Sequence, residues 1–164
     1  MDRYWLLTWT TYGTWLPRDK RGSVEHSHNV VGTPWMRPNP RLEEAARTVM
    51  AGKPVYLAVA QTRVLLAQFH ETAGHRRWVL RAAAVMSNHV HVVLAVPGDP
   101  QPETLLRDLK SYGSRALGPP AAGRWWTRSG SRRKLPDDAA VAAVRYLRRQ
   151  KYALAVWVRE GGEV

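Results

Sequence analysis

The stretch Met86-Ser-Asn-His-Val-His-Val-Val-Leu-Ala-Val96 decides how the chain is read. Side chains on a strand alternate between two faces, so Val90, Val92, Leu94 and Val96 form one wholly apolar face that belongs against a core. His89 and His91 share the other face with Val93 and Ala95, which sets two imidazoles side by side on a rigid frame. A neutral imidazole is the commonest metal-binding nitrogen, and two on one strand fix half of a coordination shell before any ion arrives. The same spacing also occurs on strands whose polar face is simply solvated, so the pair alone does not define a metal site.

Working outward, Trp78 to Val85 reads as a strand that meets the histidine strand across the short Met86-Ser-Asn88 turn, an antiparallel hairpin. Tyr4 to Thr11 alternates, is rich in β-formers and reads as a first strand ended by Gly13 and Pro17. A loop-rich insertion occupies about 17–54, punctuated by Gly22, Gly32, Pro34, Pro38 and Pro40. His26 and His28 repeat the His-x-His spacing there, but without a strand frame they read as surface residues. Leu42 to Ala51 is a short helix candidate and Val55 to Val59 an extended piece. Gln61 to Thr72, with a Gly74 stop, and Glu103 to Leu117 carry helical periodicity. Gly123 to Leu135 is basic, aromatic and interrupted by glycine, which suits a short hairpin. Pro136-Asp-Asp138 begins a helix expected to run to Gln150, and Leu154 to Val158 suits one more strand. This order gives an α+β, ferredoxin-like (RRM-like) antiparallel sheet with helices packed on one face, as a single domain over 1–164. Such folds serve RNA recognition as well as catalysis, so function must be argued from the site.

The 164 residues include no cysteine, which excludes disulfides and thiolate sites and makes a cytoplasmic protein the expectation. No apolar run approaches the ~20 residues needed to span a bilayer. The formal charge is +12 and is unevenly placed: from Arg107 to Arg159 there are 13 basic residues against three acidic ones. That concentration of charge points to nucleic acid rather than to a membrane surface. Indoles among arginines can stack on unpaired bases. The expected DNA-binding set is therefore Arg124, Trp125, Trp126, Arg128, Arg132, Arg133 and Lys134, joined by Arg145 and Arg149 on the last helix.

On that helix Tyr146 and Gln150 stand four residues apart, hence on one face. Laid over the histidine strand, they would add an oxygen ligand and a nucleophile to the imidazole pair. Tyr112 is the rival nucleophile on another helix in basic surroundings, but Ala116 stands where a carboxamide would be needed.

With these residues in hand, the chain resembles the single-tyrosine HUH transposases, the group that includes the REP-associated tyrosine transposases. His89-Val90-His91 matches the family's His-hydrophobic-His motif, and Tyr146-Leu-Arg-Arg-Gln150 matches its catalytic-helix pattern. Thr10-Thr-Tyr-Gly-Thr-Trp-Leu16 and Trp125-Trp-Thr-Arg128 also look like family segments. The resemblance implies Mg²⁺ or Mn²⁺ held by His89, His91 and Gln150, and cleavage of single-stranded DNA by Tyr146 through a 5′-phosphotyrosine with release of a 3′-hydroxyl. It further implies recognition of a DNA hairpin, a homodimer in many members but not all, and a place in the bacterial cytoplasm with the nucleoid. Two other classes fit the same residues. A non-catalytic single-stranded DNA or RNA binding domain needs neither the histidines nor Tyr146. A metallohydrolase needs the histidines without the tyrosine, and the absence of an evident carboxylate ligand near them counts against it.

Overall fold

The computed structural model describes residues 2–14, 39–50 and 52–160. Its elements follow in the order β1 (Asp2–Thr10), α1 (Pro40–Thr48), α2 (Val59–Arg76), β2 (Val79–Val85), β3 (His89–Pro97), α3 (Pro102–Leu117), β4 (Ser131–Leu135), α4 (Asp137–Arg148) and β5 (Ala155–Val158). The strands form one sheet in the order β4-β1-β3-β2-β5, and every pairing is antiparallel. Strands β1 to β4, with α2 and α3 as the crossovers, make the ferredoxin-like arrangement, and β5 extends it beyond β2. Among the described residues no helix is long and apolar enough to cross a membrane.

The alternation read from residues 86–96 is realised in two separate cores. Val90, Val92, Leu94 and Val96 join Trp5, Leu7 and Trp9 of β1 beneath α2 and α3, which contribute Leu65, Phe69, Leu105 and Leu109. Trp9 meets the edges of Phe69 and Trp126 at centroid distances of 5.7 and 6.0 Å, the geometry in which aromatic quadrupoles attract. The opposite face carries a smaller core of Ala82, Ala84, Met86 and Val93 against Ala143 and Leu147 of α4.

The sequence reading backs the sheet with two helices on one face, and α2 and α3 are there. α4 lies on the other because its buried residues, Ala140, Ala143 and Leu147, repeat at i, i+3 and i+7. Alanines at 82 and 84 let it approach the sheet closely, and its placement brings it over the histidine face.

Three local readings also differ. α2 continues through Gly74 and ends where Arg77 takes a left-handed conformation, φ 56°. The expected hairpin within Gly123 to Leu135 does not form. Its backbone partners are distant in sequence: β4 pairs with β1, and Trp126 bridges to Thr11. Within the expected 17–54 insertion α1 is a helix, whereas His26 and His28 lie outside the described residues.

Candidate active site

The site is built on the strand register. His89 lies directly opposite Thr10 of β1, and His91 lies between Thr8 of β1 and Ala84 of β2. Opposed residues of an antiparallel pair share a face, so Thr8 and Thr10 border the imidazoles. The Thr8 hydroxyl is 2.7 Å from Nδ1 of His91, and the Asn88 amide oxygen accepts from Nδ1 of His89 at 2.7 Å. Such bonds to Nδ1 fix ring orientation and assign ligation to Nε2. The rings stand nearly perpendicular with centroids 5.0 Å apart. Burial, and then the neighbouring His89, lower the pKa of His91 to about 3, so its ring is uncharged at neutral pH.

Leu147 is fully buried beneath α4 and sets the rotation of the helix, so the adjacent Tyr146 emerges at its margin. The Tyr146 ring lies 5.7 Å from the His91 ring, centroid to centroid, and the residue is 53% exposed. Tyrosine and imidazoles thus converge within one chain. Tyr112 does not join them: it is on α3, across the sheet, with the Arg115 guanidinium 5.2 Å from its ring centre.

Gln150 requires a correction in placement. The helix ends at Arg148, and Arg149 and Gln150 donate to the carbonyls of Tyr146 and Leu147 in tightened i to i−3 bonds. Gln150 therefore lies two residues past the helix, and the i, i+4 rule does not direct its amide. Among the described residues no group of three His, Cys, Asp or Glu side chains is gathered to hold an ion. Two oriented imidazoles, that of His91 uncharged, do fit a divalent ion whose remaining donors are an amide or water. Nitrogen donors suit Mn²⁺ better than Mg²⁺, which prefers oxygen.

The basic residues divide between surfaces. Arg145 and Arg149 are exposed around Tyr146, and Arg133 of β4 lies opposite Leu6, on the histidine side of the sheet. Arg132 and Lys134 lie opposite Leu7 and Trp5 on the α3 side, where acids pair with them: Arg132 with Glu103 at 3.2 Å and Lys134 with Asp99 at 2.8 Å. The Lys134 hydrogen bond holds the Asp99 carboxyl below its ordinary range. Trp125 and Trp126, expected to stack on bases, are core residues, each 7% exposed. Their indole N–H groups donate to the carbonyls of Gly118 and Lys110.

Between α3 and residues 118–132 lies a cavity of about 630 Å³ bordered by Arg107, Lys110, Ser114, Arg124, Arg128 and Arg132. Lys110, which sequence reasoning did not single out, donates from Nζ to the carbonyls of Thr127, Arg128 and Ser129 at 2.6, 3.2 and 3.2 Å. Thr127 is in turn tied to Thr10 by backbone and hydroxyl bonds. One ammonium thereby secures the basic segment against the strand that borders the histidines. Asn88 reads from the sequence only as part of the turn, although its place immediately before His89 is a signal that could have found it.

Fold and site together define a class: an α+β, ferredoxin-like domain with paired imidazoles on a central strand and a helical tyrosine beside them. This fold is shared with a REP-associated tyrosine transposase solved bound to a REP hairpin, with a TM-score of 0.51, 13% identity and coverage of 88% of this chain. The match takes in 64% of that protein, so this chain spans less than two thirds of its length. A Deinococcus radiodurans crystal structure provisionally assigned as a transposase is 14% identical over 92% of both chains, with a TM-score of 0.46. No protein-family model and no curated protein matches the sequence.

Proposed function

We propose that this protein is a metal-dependent transposase, a DNA strand transferase that cleaves single-stranded DNA through Tyr146. The observation that carries the reading is the Tyr146 ring 5.7 Å from His91, on the sheet face where both imidazoles lie. In the proposed step the Tyr146 oxygen attacks phosphorus, the P–O3′ bond breaks, and the departing 3′ oxygen takes a proton to become a hydroxyl. The product is a 5′-phosphotyrosine, and attack by a 3′-hydroxyl reverses the step and rejoins strands without ATP.

His89 and His91, with Gln150 as a candidate third donor, are the residues that would hold Mg²⁺ or Mn²⁺, whose chemistry is to polarise the scissile phosphate and offset developing charge. A free phenol has pKa ≈ 10 and attacks poorly at neutral pH. The half-exposed Tyr146 hydroxyl can release its proton to water as it attacks. Thr8 and Asn88 hold the imidazoles in place. The partner we propose is single-stranded DNA with hairpin structure, supported by the +12 charge, by the arginine-bordered cavity and by the hairpin bound to the structural neighbour. Because Tyr146 and His91 meet within one chain, a homodimer is not needed to bring them together.

The test is incubation with hairpin-bearing single-stranded DNA and Mn²⁺, followed by a denaturing gel. A protein–DNA adduct that a chelator prevents is expected. Cleavage without an adduct would indicate a metal-bound water instead, and binding without cleavage a recognition module.

A further inference from the structure

Trp125 and Trp126 lie in the wall of the arginine-bordered cavity but are each only 7% exposed, so they offer a base little free ring surface. Residues 55–57 cross the end of the sheet where β1 stops and β3 begins. Val55 N–H donates to the Tyr12 carbonyl at 2.9 Å and Leu57 N–H to the Ser87 carbonyl at 2.7 Å. Val55 and Leu57 pack into the core under α2 and α3, so the intervening Tyr56 turns away from it and is 62% exposed. The sheet face away from that core is the one that carries His89 and His91. Ser87 precedes His89 by two residues, and Tyr12 follows by two the residue paired with His89. The Arg124 guanidinium lies 5.2 Å from the centre of the Tyr12 ring, so aromatic surface and positive charge meet at this same end of the sheet.

We propose that Tyr56, beside the Tyr12–Arg124 pair, is a platform on which an unpaired base stacks next to the His89–Tyr146 site. The proposal rests on the strand-transfer reading above. A ring whose backbone is pinned on both sides loses little freedom when a base covers it, which is the condition for an efficient contact. The Arg124 guanidinium over Tyr12 at this end of the sheet and the +12 charge favour a nucleic acid over an apolar protein partner. Stacking accepts any base, so the platform would position the strand without reading its sequence.

The experiment measures the affinity of full-length wild type, Tyr56→Ala and Tyr56→Phe for a short single-stranded oligonucleotide, intact and with an abasic site moved along it. Removing a stacked ring costs about 5- to 150-fold in affinity, so Tyr56→Ala is expected to bind at least about fivefold more weakly, with Tyr56→Phe near wild type. At one position, loss of the base should weaken wild type by a similar factor and leave Tyr56→Ala unchanged. That coupling ties the ring to one base, and a merely structural role would not produce it. Losses that multiply at every position overturn the proposal. Undiminished affinity of Tyr56→Ala for every strand also overturns it and leaves the ring to a protein partner. In both cases adduct formation by wild type keeps the strand-transfer reading intact, whereas no adduct with any strand removes that reading itself.

Discussion

Replacing Leu147 with alanine should loosen the helix that carries Tyr146 without unfolding the sheet. Leu147 is fully buried, and the other residues that α4 buries are Ala140 and Ala143, so one side chain provides most of the apolar anchorage. The change removes three carbons, worth about 2.4 kcal/mol at ~0.8 kcal/mol per buried methylene. The cavity left against Ala82, Ala84 and Val93 adds to this, for a total of about 2–5 kcal/mol. The larger core lies across the sheet and shares none of these contacts, so the loss should appear first as local opening of α4. Hydrogen exchange followed by peptide mass spectrometry is the assay. Amides of residues 140–149 should lose protection while those of β1 and β3 keep theirs, and adduct formation should fall with them. Unchanged protection of α4, or a stability loss below about 1 kcal/mol, would show that Leu147 is not the anchor.

Other consequences can be measured directly. Thr8→Val removes the hydroxyl beside His91 Nδ1 and should weaken Mn²⁺ binding by about 10- to 100-fold, with a stability change of only about 1 kcal/mol. Unaltered Mn²⁺ affinity in a calorimetric titration would remove Thr8 from the site. Burial, and secondarily Arg132, lower the Lys110 pKa to about 8 from an ordinary 10.5. A lysine with the lower pKa in the folded state holds fewer protons folded than unfolded, so its contribution favours folding increasingly as pH rises between those values. Wild type should therefore gain stability relative to Lys110→Met from about pH 8 towards 10.5 in denaturant melts, and parallel curves would contradict this.

Much of the fold was readable because its signals are local. The valine alternation around His89 and His91 identified the core face, and the Leu105, Leu106 and Leu109 spacing identified α3. What escaped depended on distant partners. Trp125 and Trp126 lie among arginines, and an indole suits a base or a core equally well. The backbone bridge to Thr11, more than a hundred residues away, assigns them to the core. The same non-local pairing turned an expected hairpin into an edge strand on β1. Gln150 was misplaced because no glycine or proline marks the end of α4, and the tightened last turn after Leu147 is set by hydrogen bonds rather than by residue type. The three hydrogen bonds from Lys110 to a segment 17 to 19 residues on were equally invisible, since nothing in a lone lysine names its acceptors.

The central claim is that Tyr146 is the nucleophile, and the most direct measurement is peptide mapping of the adduct trapped with hairpin-bearing single-stranded DNA and Mn²⁺. The nucleotide should be attached to Tyr146. Tyr146→Phe should bind the same strand with near-wild-type affinity and form no adduct, and Tyr112→Phe should form it normally. A nucleotide on Tyr112, or an adduct that survives Tyr146→Phe, would contradict the account.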